Sequence, residues 1–167
     1  MGFAYITNLN AVINVLKNHN TTTASPDLSA NLNVRVDNDN ILITDPNIIQ
    51  PRADRMPSIF VLYASKTEEY SGIGATGFAG HKKQGTGNIQ VFGLVGKFGG
   101  YEPDETVLKD VYNLASNCEA VFQQEFTLSN TCLYCNPNTT NFNTGLNYGE
   151  GFARPFVINL SAEYLFR

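Results

Sequence analysis

One amphipathic pattern, at residues 104–125, limits what this chain can fold into. Val107, Val111, Leu114, Cys118 and Val121 recur at spacings of four, three, four and three, and Leu108, Ala115 and Phe122 widen the same stripe. That is the period of an α-helix with one buried face. Glu105, Lys109, Asn113, Ser116 and Gln123 lie away from it. Pro103 and the acidic Glu102, Asp104 and Glu105 suit the positive end of the helix dipole. A helix of about six turns with a single apolar stripe has to lie against a sheet or a core.

The candidate strands are read by their period. Residues 58–64 hold a continuous apolar run, Ile59 to Tyr63, which predicts a buried central strand after Pro57. Residues 88–98 place Ile89, Val91 and Val95 on one face and Phe92 and Leu94 on the other, and Gly99-Gly100 ends them. Residues 152–166 alternate Phe156, Ile158, Leu160, Ala162, Tyr164 and Phe166 with Asn159, Ser161 and Glu163, the mark of a half-buried strand under the long helix. Val34 and Val36, then Ile41 and Ile43, flank Asp37-Asn38-Asp39-Asn40 and predict a hairpin or a strand with a turn. Residues 126–133 have room for a short strand.

A short N-terminal helix is expected at residues 6–18, its stripe formed by Ile6, Leu9, Val12, Ile13 and Leu16 and its cap by Thr7 or Asn8. Residues 20–31, 66–87 and 135–151 read as polar loops; the second is long and glycine-rich, a kind that is often functional. The expected fold is α+β, one domain over residues 1–167. Its mixed or antiparallel sheet has four to five strands, flanked by one long helix and a short N-terminal one.

The chain has 167 residues, 43% hydrophobic and only 16% charged, with a net charge of −4. The acidic balance argues against a nucleic-acid binder that grips phosphates. No apolar run approaches the ~20 residues that span a bilayer, and residues 1–10 lack the features of a signal peptide. Folding in a cytoplasm is expected. Three cysteines, Cys118, Cys132 and Cys135, suit reduced thiols better than a disulfide framework.

Motifs that could carry chemistry are few. Gly72-Ile73-Gly74-Ala75-Thr76-Gly77 matches G-x-G-x-x-G, but a dinucleotide site needs a strand before it and a helix after it. Here the flanks are polar, and a loop is the expectation. Cys132-Leu133-Tyr134-Cys135 is a C-x-x-C, a weak metal candidate because a structural zinc takes four ligands and the two histidines, His19 and His81, lie far off in sequence. Asp37, Asp39 and Asp45 lack the glycine and closing glutamate of a calcium loop. His81 beside Lys82 and Lys83 is poorly placed as a base. No catalytic residue and no cofactor are expected. Arg52, Arg55, Lys82, Lys83 and Arg154 are candidates for ion pairing with a partner subunit.

The order of elements, with Met56-Pro57-Ser58-Ile59-Phe60-Val61, Asn88-Ile89-Gln90-Val91-Phe92-Gly93, residues 110–122 and Ala153-Arg154-Pro155-Phe156-Val157-Ile158, resembles the tail terminator proteins of long-tailed bacteriophages. These are the tail-completion proteins of the minor tail protein U group. The resemblance implies a virion protein without catalytic activity. It would form a ring, usually a hexamer, on the last ring of the tail tube, stop tube growth and meet the head-completion proteins of the neck. Six copies would carry a formal charge of −24 (6 × −4), which lets DNA slide through the lumen without being bound. Another neck subunit would fit the same pattern. A small nucleotide- or metal-dependent enzyme built on residues 72–77 or on Cys132 and Cys135, and a ligand-binding module with a deep apolar pocket, are the readings from other classes.

Overall fold

The computed structural model describes residues 3–45, 56–71, 82–98, 104–143, 146–148 and 151–166. Helix α1 (Tyr5–Asn18) is followed by a 3-10 turn (Asn38–Asn40), β1 (Ile41–Ile43), β2 (Ser58–Ser71), β3 (Lys82–Phe98), α2 (Asp104–Gln124), β4 (Tyr134–Phe142), β5 (Leu146–Tyr148) and β6 (Gly151–Phe166). The sheet runs β1-β2-β3-β6-β4, and the short β5 also pairs with β6. β1 is parallel to β2; every other pairing is antiparallel. The fold is therefore α+β with a mixed sheet of five strands in line.

Both helices lie on one face of that sheet. The core joins Leu9, Val12 and Leu16 of α1 and Val111, Leu114, Cys118 and Phe122 of α2 to Ile59 and Val61, Ile89 and Val91, and Phe156, Ile158 and Leu160. The stripe at 104–125 is buried as its period requires. In α1 the stripe begins at Leu9 instead: Ile6 is 62% exposed, Asn8 is buried, and Ala4 stands at the N-cap with no side chain capping the helix. The opposite face of the sheet carries a smaller cluster, Phe60, Leu94 and Ala153 with Phe92 and Leu42.

Three expectations are corrected. Residues 66–71 and 82–87 are strand, not loop: β2 and β3 run on through Lys66↔Gly87 to Ser71↔Lys82, five further pairs that carry the hairpin about 17 Å beyond that point. Their backbone bonds, which depend little on side chains, hold a segment too polar to show an apolar period. Nor are residues 135–142 and 146–148 loop, since β4 and β5 lie along the outer side of β6. Residues 34–43 take the second of their two readings, a strand with a turn: the 3-10 turn at Asn38–Asn40 leads into β1, and residues 34–36 are not a strand. Ser29 Oγ accepts from Val36 N (3.1 Å), Asn20 Nδ2 donates to Val36 O (2.7 Å), and Asp37 Oδ1 accepts from Asp39 N (2.9 Å). Side chains thus take the backbone groups a partner strand would have used. Residues 126–133 hold no strand either: Leu128, Ser129 and Asn130 are left-handed at φ 47°, 56° and 67°, a reversal that turns the chain from α2 into β4.

At the middle of the sheet the Phe156 ring lies over Gly93 on the neighbouring strand, where any Cβ would overlap the ring. Gly93→Ala is expected to lower stability by about 1–3 kcal/mol in urea titration, the usual range for overpacking. A second expectation concerns Asp27, which accepts two bonds from Arg35 (2.8 and 2.9 Å). The guanidinium holds this carboxyl below its ordinary value of 3.8. The stabilisation is thus complete above that value and disappears as pH falls through the lower folded one. Arg35→Gln should melt below wild type at neutral pH, and the two melting curves should converge under strongly acid conditions.

Candidate functional site

The G-x-G-x-x-G at residues 72–77 lies outside the described residues, but its flanks do not. It connects β2 to β3, two antiparallel strands paired as far as Ser71↔Lys82. A fingerprint glycine loop passes from a strand into a helix whose N-terminus meets the pyrophosphate. Here the chain leaves one strand and enters another, so the setting is that of a hairpin.

Cys132 sits at the end of the left-handed turn and Cys135 in the first residues of β4; with Cys118 they are free and buried. Burial pushes Cys132 up to about 11 and Cys135 up to about 12, and Cys118 rises for the same reason. A redox or zinc-binding thiol needs the opposite shift, from a helix N-terminus, a cation or the metal itself. Among the described residues no three His, Cys, Asp or Glu side chains converge as a metal site requires. Close to the two thiols in the core are Tyr63 and Tyr164, whose buried hydroxyls lie near each other. Burial pushes both phenols up.

The remaining titratable candidates have structural partners. His19 meets Pro26 O through Nδ1 (2.9 Å) and Glu125 through Nε2 (3.5 Å), tying the end of α1 to the end of α2. Asp37 caps the 3-10 turn. His81 lies outside the described residues.

The basic residues do not form one patch. Arg52 and Arg55 lie outside the described residues. Lys82 and Lys83 stand at the far end of the β2–β3 hairpin, paired with Ser71 and Tyr70. Arg154 is opposite Val95, near the other end of β3, on the order of 40 Å from Lys83 along the strand. Its guanidinium lies 5.2 Å from the centroid of the Phe152 ring.

What the fold does present is an exposed apolar margin. Tyr112, Phe126, Leu133, Tyr134 and Phe142 are each close to half exposed, and all border β4. Tyr112 and Phe142 stack edge to face at 4.9 Å at one end of the strand; Phe126 and Tyr134 stand at 6.4 Å at the other. Gln123, Phe126, Tyr134, Cys135 and Asn136 line an open cleft of about 310 Å³ there. Apart from Cys135, none of these residues was a sequence candidate. The available signal was a negative one: residues 126–148 contain no Asp, Glu, Lys or Arg.

In comparisons with known proteins, no protein-family model and no curated protein matches the chain.

The thiol geometry gives a direct expectation. With Ellman's reagent at pH 8, all three cysteines should react slowly in the native protein and at once in guanidinium chloride. A fast native phase from Cys132 or Cys135 would mean that one of them is an accessible thiolate.

Proposed function

We propose that this protein is a structural component of a phage virion. It forms a ring at the head-proximal end of the tail tube, ends tube growth there and supplies the joint to the head. The observation that carries the reading is the order of elements. A short helix, a long β-hairpin, a long helix and a long final strand resemble the tail-terminator pattern, and they build one mixed sheet with both helices on a single face.

Two further features support it. The β2–β3 hairpin, joined by the end of β6 at Lys83↔Phe166, extends the sheet and suits contact with the ring above or below. The uncharged margin along β4 suits contact between neighbours in one ring, because charged residues are depleted from interface cores. The buried thiols, with their raised titration points, give an enzyme reading no comparable support.

Purified protein added to isolated tail tubes is expected to decorate one end of each tube in negative-stain micrographs. In lysates lacking it, tubes should be abnormally long and heads should stay unjoined. Tails of normal length attached to heads in its absence would overturn the proposal.

A further inference from the structure

Among the described residues two margins end the sheet, and they are guarded differently. β1 covers only Ile59, Phe60 and Val61 of β2. Beyond that register no strand lies outside β2 among the described residues, and the margin there carries Lys66, Glu68 and Glu69, with Lys66 bonded to Glu68. Charges of this kind keep an open edge from pairing with another chain.

β4, at the opposite end, is guarded over its first half alone. Cys135 N donates to Phe126 O (2.6 Å), Pro137 has no N–H to offer, and a bulge follows between Pro137 and Thr139. From Asn138 to Phe142 no strand lies outside β4 among the described residues. Asn138, Thr139, Asn141 and Phe142 are exposed, and this stretch carries no charge. An open edge with neither charge nor proline, beside an exposed ring pair, is one that a partner strand covers.

The structure also bears on which partner. The strand at the other end of the same sheet, β1, is short and consists of Ile41, Leu42 and Ile43. Ile43, 37% exposed, adds an apolar side chain to that margin. Strand directions agree. β1 is parallel to β2, and three antiparallel steps through β3 and β6 make β4 run opposite to β1. A second copy placed beside β4 therefore presents its β1 antiparallel and in the same sheet. Each copy carries a net charge of −4, and an uncharged margin lets like copies meet without adding to that repulsion.

We propose that the edge of β4 at residues 138–142, with Tyr112 and Phe142, docks on the β1 end of another copy of this chain. The contact continues the sheet from subunit to subunit. It joins two different patches, so it is head-to-tail, the arrangement that closes into a ring. This inference rests on the ring reading above and names its intersubunit contact.

The test uses the full chain with two kinds of variant. In the double variant Ile43→Cys/Thr139→Cys, a short bis-maleimide is expected to give a covalent ladder up to the closed ring, and each single variant is expected to give none. Thr139→Lys/Phe142→Lys, with an unfolding midpoint matching wild type, should need at least about tenfold more protein to assemble in sedimentation velocity, a loss of about 1.4 kcal/mol or more per contact. If wild type assembles but the ladder is missing, or the lysine variant assembles like wild type, the β4–β1 contact is overturned and the ring reading stands. If wild type never assembles, alone or on tail tubes, both are overturned.

Discussion

A polar seam on an otherwise apolar helix sets the path of the first third of this chain. Asp110, buried in α2, accepts from both the backbone and the side-chain nitrogen of Asn33. Three and seven residues later, Asn113 donates to Asn31 O, and Asn117 donates to Leu28 O and Ala30 O. These spacings place the three side chains on one flank of the helix, beside the apolar stripe. Together they bind carbonyls and an N–H of a segment with no regular structure, groups that would be costly to bury unpaired. The segment can therefore lie against α2 and insert Leu28 into the core with no exposed surface. From there the chain returns along the sheet and delivers β1 parallel to β2 rather than as half of a hairpin.

The packing above the sheet follows from that placement. α1 and α2 share one face, and their apolar stripes meet the alternating side chains of β2, β3 and β6. Close approach between strands is set at three glycines, one of them Gly96 against Phe152 O and Ala153. Gly93 makes room for the Phe156 ring, and a Cβ at Gly87 would come within 2.8 Å of the Tyr63 ring. Tyr63 in turn stacks against Phe3 and Tyr5, with Lys66 Nζ 4.9 Å above the Phe3 ring. The N-terminal end of α1 is thereby fixed at the base of the long hairpin, where the sheet leaves the cover of the helices.

Much of this architecture could be read from periodicity, because both helices and β6 bury one face against the core. Leu114, Cys118, Ile158 and Leu160 repeat at intervals only one conformation satisfies. The extension of β2 and β3 could not be read that way: Thr67, Glu69, Gln84 and Thr86 are held in strands by backbone bonds to partners distant in sequence. β4 was hidden by the same cause, since Asn136, Asn138, Thr139 and Asn141 on an edge strand need bury nothing. The turn at Leu128 left no local mark, for leucine is a residue the left-handed region disfavours. The candidate interface was harder still. Motifs drew attention to residues 72–77 and to the cysteine pair, and a margin defined by missing charge contains no motif at all.

The position of β6 has a consequence for how the molecule comes to be built. It is the last strand described in the chain and yet lies inside the sheet, between β3 and β4. As the polypeptide emerges during synthesis, β2 and β3 can pair early, and α2 can form on its own period. The strand that unites the two sides of the sheet arrives last. Until then β3 presents an open apolar edge with Ile89, Val91 and Val95 beside it, and β4 has nothing to pair with. Such intermediates invite wrong partners, including the edges of other unfinished copies. A chain of this topology commits to its fold in one late step, and loss of its final strand would leave two separated halves rather than a smaller version of the same domain.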